Sequence, residues 1–329
     1  MKRTAIIMAL LGVALFTAVL LWQGAGDIAN ALAAAGWGLL LVAAWHLLPL
    51  VIDSHAWRLL FARSRPSLGR IVWARWIGES VNGLLPVAQV GGDVAKARLL
   101  VLCGHRGAPV GASVVVDTTL AVATQMVFAL IGVAMLLALL DRPDLAWGLI
   151  AGIAVMAVLV GVFYRLQRGG LFGGLAGLVQ KLGGGAKTLD FVGGARALDQ
   201  AVAHIYRQPG TVARAAFWRL IGWLAGVGEV WLALYFLGAP VSLADALMLE
   251  ALGQAVRGAA FAIPGALGVQ EGGYVLLGSL IGLPADVSLA LSLSKRVREL
   301  AFGVPGLIAW QIAEGRALRR TPKHFSVQE

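Results

Sequence analysis

Long apolar runs separated by short polar stretches divide the chain. Windows of about 19 residues pick out six of them, approximately residues 5–23, 37–60, 112–139, 145–164, 215–237 and 287–312. Each is long enough to cross a hydrocarbon core of about 30 Å as a helix. The first follows Met1-Lys2-Arg3 and exceeds the roughly 7–15 residues of a signal-peptide core, so it reads as a retained span. Two further stretches, 80–100 and 246–282, are apolar but broken. The first contains Asn82, Pro86, Gly91, Gly92 and Asp93, and the second Pro264, Gly265, Gly268 and Glu271. Proline removes a backbone donor and glycine weakens a helix. A break at membrane depth is tolerated only where protein or a watery cavity satisfies the freed groups. Both stretches are therefore predicted to be re-entrant helical hairpins.

Composition agrees with a chain solvated by lipid. Of its 329 residues 59% are apolar and 13% charged, against about 45–50% and 25% in soluble domains. A soluble enzyme, a disordered tail and a collagen-like rod are excluded. The formal charge of +10 resembles a nucleic-acid footprint until the basic residues are placed. Twenty-one of the 27 Lys and Arg residues, Arg75, Lys96 and Arg98 among them, fall on the side that holds both termini; Arg142 stands alone on the other. By the positive-inside rule the first side is cytoplasmic. The charge reports topology, and no nucleic-acid partner is expected. The other five, Arg219, Arg257, Lys295, Arg296 and Arg298, fall inside apolar segments.

The two broken segments are alike. Pro86 is followed seven residues later by Asp93, and Pro264 seven residues later by Glu271. The same offset of 178 carries run 37–60 onto the fifth run and run 112–139 onto the sixth; it pairs Glu79 with Arg257 and Asp117 with Lys295. The expected fold is an all-α polytopic membrane protein, one transmembrane domain over 1–329. Its repeats would be 1–142, with hairpin 80–100, and 143–329, with hairpin 246–282. Three crossings in each half make the second copy start on the opposite side, giving the inverted repeat common in secondary transporters.

Candidate chemistry concentrates in the Lys295, Arg296, Arg298 and Glu299 cluster, which begins about nine residues, or ~13 Å, into the sixth run. Each ionised group there costs roughly 2.5–3.5 kcal/mol on insertion scales. Lys295 and Glu299 are spaced to pair on one face. Asp117 or Glu271 would take one arginine, leaving about one positive charge. A basic cavity for an anionic or polar lipid headgroup is one reading; an ion-pair network locking the helices is the other. Pro264, Gly265, Gly268 and Glu271 predict a half-helix start whose free N–H groups could cradle a phosphate or hydroxyl, with Gly91, Gly92 and Asp93 as the matching site. Close helix packing is the alternative. Asp53, Asp117 and Glu229 are further intramembrane acids. Segments 67–80 and 187–206 mix Arg, Lys and Asp with apolar residues at helical spacing and read as interfacial helices.

Several chemistries are missing. The Gly183 to Thr188 stretch lacks phosphate-loop spacing. No metal-ligand or nucleophile motif occurs, and no cofactor or metal is expected. His46 and His55 read as packed residues, and the lone Cys103 as a buried, inert thiol.

Asn82-Gly83-Leu84-Leu85-Pro86 with Gly91-Gly92-Asp93, the Ile263 to Glu271 stretch, and the Lys295 to Glu299 cluster before Pro305-Gly306 resemble the lysylphosphatidylglycerol synthase transmembrane, or flippase-domain, family. The hopanoid-biosynthesis-associated branch is the most similar, and the resemblance covers nearly the whole chain. It implies a bacterial inner-membrane protein that moves lipid between leaflets or hands it onward, with hopanoids as the lipid of this branch. Lipid aminoacylation is not expected, since the aminoacyltransferase domain of some relatives has no counterpart within residues 1–329. The expected function is a lipid translocator using Asp93, Asp117, Arg257, Glu271, Lys295, Arg296, Arg298 and Glu299. Its expected partners are hopanoid or anionic phospholipid headgroups, with self-association or lipid-synthesis enzymes as candidate protein partners. The alternatives are an intramembrane enzyme that modifies a headgroup, with Glu271 or Asp93 as base, and a scaffold for lipid-synthesis enzymes.

Overall fold

The computed structural model describes residues 36–61, 65–85, 87, 89–140, 143–174, 187–260 and 263–320. The first predicted run, Pro86, Arg142 and residues 183–186 lie outside the described residues. Everything regular among the described residues is helical, as the apolar runs require.

The second run forms two helices in near-continuity, α1 (Gly38–Trp45) and α2 (Leu47–Leu59). Next come α3 (Leu68–Leu84), α4 (Gly91–Leu102), α5 (Gly107–Leu140), α6 (Pro143–Arg168) and α7 (Lys187–Tyr206). The second half holds α8 (Pro209–Phe236), α9 (Leu243–Ala259), α10 (Val269–Leu280) and α11 (Ala285–Arg320). Gly38–Leu59, Gly107–Ala138 and Pro209–Phe236 are long and apolar enough to cross a membrane. Helix α11 has 36 residues, about 54 Å at 1.5 Å each, longer than a hydrocarbon core of about 30 Å.

Both broken segments are helix–turn–helix units. Leu85 is extended, with φ −109° and ψ 147°, as the residue before a proline must be, and it ends α3. Gln89 takes φ 60° in the turn that follows. In the second unit Gly265, Ala266 and Gly268 take φ 61°, 50° and 77° between α9 and α10. Gln89 and Ala266 are the two non-glycine residues of positive φ among the described residues, and one falls in each turn.

The first unit begins earlier than its sequence indicates. Residues 68–84 form one continuous helix with Ile71, Ala74, Arg75 and Ile77 buried, wedged against α4 and α11. Segment 67–80 is therefore the hairpin's first leg and not an interfacial helix, because Arg75 finds a buried partner and need not face headgroups. Helix α7 likewise lies against α5 and buries Val202, Ile205 and Tyr206.

Polarity is inside out. Leu40, Val155, Val158, Leu276, Leu300 and Ile308 are among the exposed side chains, whereas Arg75, Lys96, Asp117, Glu229, Glu250, Glu271 and Lys295 are buried. Lipid accepts the former, and ion pairing is what permits the latter. Two apolar clusters flank the charged layer. One gathers Phe128, Val230, Leu234, Leu249 and Leu291, the other Trp57, Ile71, Ile77, Leu99 and Val116. Helix α8 crosses the α1–α2 segment closely, with Trp45 Nε1 donating to the Ala225 carbonyl at 2.8 Å. Cys103 caps the end of α4 and is exposed, not buried.

Candidate functional site

Helix α11 projects four charged side chains within little more than a turn, so each meets a different neighbour. Lys295 reaches Glu250 of α9 at 2.6 Å. Arg296 turns to the second hairpin, with Nε 2.9 Å from Glu271 and Nη1 donating to the Gly265 carbonyl at 2.5 Å. Arg298 lies 2.9 Å from Glu229 of α8 and donates to the His46 ring at 3.0 Å. Glu299 is ion-paired with Arg257 of α9 and accepts from Arg296 at 3.1 Å. Lys295 and Glu299 do not pair with each other as their spacing suggests. An i,i+4 contact gains only about 0.3–0.5 kcal/mol, whereas buried Glu250 would otherwise lack a compensating charge.

The first half builds a second cluster. Arg75 of α3 pairs with Asp117 of α5 at 2.8 Å. Lys96 of α4 bridges Asp93 at 2.7 Å and Asp117 at 3.2 Å. Thr118 donates to Asp93 at 3.0 Å. Arg219 of α8 lies 3.2 Å from Asp53 of α2 and 3.8 Å from Asp117. Arg75 and Lys96 also lie over the Trp57 ring, at 5.6 and 5.0 Å from its centroid. Position along the chain assigned these two cations to the cytoplasmic face; the structure buries them.

Two cavities open beside these clusters. The larger, of about 330 Å³, is lined by His46, Asp53, Glu79, Arg219, Glu229, Glu250, Arg257, Arg298 and Glu299, with apolar Trp76, Trp223 and Phe302. The smaller, of about 210 Å³, is lined by Arg75, Glu79, Asp93, Lys96, Asp117 and Arg219. Glu79, Asn82, Gln89 and Arg219 line both and so form the partition between them. The larger lining sets five carboxylates against three guanidinium groups. The expected basic cavity is thus acidic in balance, because the cations of α11 are already matched by acids on neighbouring helices.

The eight expected site residues separate into three groups. Arg257, Arg298 and Glu299 line the larger cavity; Asp93 and Asp117 line the smaller. Glu271, Lys295 and Arg296 line neither, and Glu271 is fully buried. The turn residues also act differently from expectation. Gly268 N–H donates to its own Glu271 carboxylate at 2.6 Å, which caps the start of α10 and leaves that group unavailable to a phosphate. Gly92 N–H donates to Asn82 Oδ1 at 2.7 Å. A side chain on Gly92 would strike the Gly78 carbonyl and the Asn82 amide, so the glycine serves the close crossing of α3 and α4. Gly91 packs against Val87 in the same turn.

Sequence reasoning read His46 as a packed residue and Glu79 only as a repeat position, and it passed over Glu250; the structure sets all three on the wall of the larger cavity. His46 Nε2 faces Glu79 at 3.6 Å and Nδ1 faces Glu229 at 3.6 Å, with the Phe302 ring against its edge. Glu79 is the one acid of α3, and Glu250 stands within the otherwise apolar stretch 246–252 of α9; an acid in such surroundings is the signal that could have found them. His55 behaves as the packed residue expected, edge-on to Trp218 with ring centroids 5.2 Å apart. Among the described residues no group of three or more His, Cys, Asp and Glu could hold a metal ion.

The chain matches the family described as the lysylphosphatidylglycerol synthase TM region over residues 9–305. No curated protein and no solved structure gives a significant match.

Proposed function

The chain belongs to the lysylphosphatidylglycerol synthase TM-region family, and from that premise we propose that it is a translocator for a polar lipid, without enzymatic activity of its own. The headgroup crosses through the cavity between α2, α3, α8, α9 and α11, while the acyl or polycyclic tail stays in the bilayer. Hopanoid or a related polar lipid is the cargo, moved between leaflets of a bacterial inner membrane or onward to an outer one. Six spans and two re-entrant hairpins in an inverted repeat, with both termini cytoplasmic, supply the frame. Rocking of one repeat against the other gives alternating access.

The observation that carries this reading is the roughly 330 Å³ cavity lined by eight ionisable carboxylate and guanidinium residues and His46. Charge at that depth is costly and marks a path for polar matter by default. The test is movement of labelled phosphatidylglycerol, and of a labelled hopanoid, in vesicles holding purified protein. Arg298→Ala removes a charge-assisted contact worth about 1.5–3 kcal/mol and should slow movement by roughly tenfold or more. Parental speed in a well-folded Arg298→Ala protein refutes the reading. Mass spectrometry of a deletion strain tests the enzymatic alternative: a missing lipid product supports an enzyme, and unchanged lipids in the wrong leaflet support a translocator.

A further inference from the structure

Every acid lining either cavity has an arginine or lysine within 4.0 Å except one, among the described residues. Asp53 has Arg219, Glu229 has Arg298, Glu250 has Lys295 and Glu299 has Arg257. Asp93 has Lys96, and Asp117 has Arg75, Lys96 and Arg219. Glu79 has only His46, at 3.6 Å, and its side chain is 41% exposed. It is also the one acid that lines both cavities. A carboxylate with no arginine or lysine in contact, though Arg75 of its own helix and Arg219 of α8 act on its charge at longer range, open to two cavities and beside an imidazole, is the group in this interior best placed to take up and release a proton.

His46 extends the route. Its ring meets Glu79 from α3, Glu229 from α8 and Arg298 from α11, and Phe302 supplies the apolar edge. Arg298 Nη1 lies 3.0 Å from Nδ1 and 3.2 Å from Nε2. An arginine only donates, so it bonds the unprotonated nitrogen of a neutral ring. Adding a proton to that nitrogen removes the acceptor, sets two cations face to face, and turns both ring N–H groups towards Glu79 and Glu229. Arg298 keeps Glu229 but loses His46. Proton uptake therefore changes the one cation in the larger cavity that both His46 and a carboxylate hold.

We propose that Glu79 and His46 form a proton-carrying pair in the partition between the two cavities, and that movement of the lipid headgroup is coupled to transfer of one proton across it. The proton passes from water in one cavity to the Glu79 carboxylate, is shared with the His46 ring, and leaves to water in the other, so no net bond to protein is made. This rests on the translocator reading, since a cavity that passed no headgroup would have nothing to couple.

The experiment uses the full chain in vesicles of phosphatidylethanolamine and phosphatidylglycerol, with fluorescent phosphatidylglycerol and a labelled hopanoid as the lipid probes and a trapped pH dye. Lipid movement is measured without a gradient, with about two pH units imposed, and with a protonophore added. One coupled proton can bias the lipid distribution by up to about a hundredfold at that gradient, tenfold per pH unit. The expected result is a several-fold change of the parent's rate or distribution with the gradient, abolished by the protonophore and accompanied by a dye signal. In Glu79→Gln the ratio of rates with and without the gradient should fall to about one, whatever the absolute rate. Glu79→Asp, which keeps a carboxylate, should retain a ratio above one and guards against a folding defect in the amide variant. Lipid movement indifferent to the gradient overturns the coupling alone. No lipid movement under any condition overturns the translocator reading and the coupling with it.

Discussion

Lys295→Met tests whether a buried charge on α11 serves to brace the helices. Lys295 lines neither cavity and is 2% exposed, and its partner Glu250 is 3% exposed. Their contact is 2.6 Å. Glu250 also accepts from Gln254 at 2.8 Å and from Tyr274 at 3.3 Å. Replacing the lysine by a chain of similar length and no charge leaves a buried carboxylate with two neutral donors and no cation. Breaking one side of a buried pair costs about 3–5 kcal/mol, most of it the penalty on the survivor. Glu250→Gln in the same chain removes that penalty, because an amide oxygen can still accept from Gln254 and Tyr274. The double variant should therefore recover most of the loss. The assay is a double-mutant cycle on unfolding free energy in mixed micelles. A single-variant cost below about 1 kcal/mol, or no recovery in the double variant, refutes the argument that Lys295 is held for Glu250.

Further tests bear on the hairpins and on the end of α11. Gly92→Ala places a methyl group against the Gly78 carbonyl and the Asn82 amide, and forcing α3 and α4 apart should cost about 1–3 kcal/mol in the same unfolding assay. Gly265→Ala puts a side chain at φ +61° with its Cβ 3.1 Å from Arg296 Nη1; the left-handed conformation alone should cost about 1 kcal/mol, and a stabilised Gly265→Ala protein would refute the turn geometry. Near the end of α11, Arg98, itself exposed, pairs with Glu314 at 2.6 Å, and the guanidinium holds the Glu314 carboxyl below its ordinary range. Since the folded carboxyl resists protonation, the unfolded chain takes up the proton first as pH falls. The contribution is complete above the usual glutamate range and disappears as pH drops through the lower folded value. A Glu314→Gln protein should lack that part of the acid dependence, and an unchanged pH profile would refute the pairing.

What could be read in the chain differs by level. Apolar windows predicted residues 37–60, 112–139 and 215–237, and helices Gly38–Leu59, Gly107–Leu140 and Pro209–Phe236 occupy them, because lipid imposes one requirement on every turn of a span. The breaks at Leu85 and Gly265 were equally visible, since proline and glycine act locally. Partnership between charges was not visible. Arg75 meets Asp117 across 42 positions, and Arg298 meets His46 across 252; no periodicity records such separations. Residues 67–80 consequently looked like an interfacial helix, and the cluster on α11 looked like a surplus of positive charge. A buried ion must be matched, and its match lies on whichever helix packs there, so the sign of the cavity emerges only from the assembled fold.

The proposed repeat sharpens which charges carry function. At the offset of 178, Asp117 corresponds to Lys295, and the first leg of each hairpin supplies its partner: Arg75 from α3 in one half and Glu250 from α9 in the other. Position 75 itself maps to Gly253, so Glu250 stands three residues, about one turn, before the matching place, and the pair reverses its polarity on the corresponding two helices. Asp93 with Thr118 and Glu271 with Arg296 sit at the same offset and likewise join each hairpin's second leg to the long helix that follows. If the sign can be exchanged while the contact stays, the contact serves as a brace, since a brace needs attraction and not a particular sign. Glu79 and Arg257 also correspond but break this pattern. Both line the larger cavity, yet Arg257 is bound to Glu299 while Glu79 has only His46. The asymmetry between the halves is therefore greatest at the cavity wall, where one member of the pair is held by a fixed partner charge and the other is not.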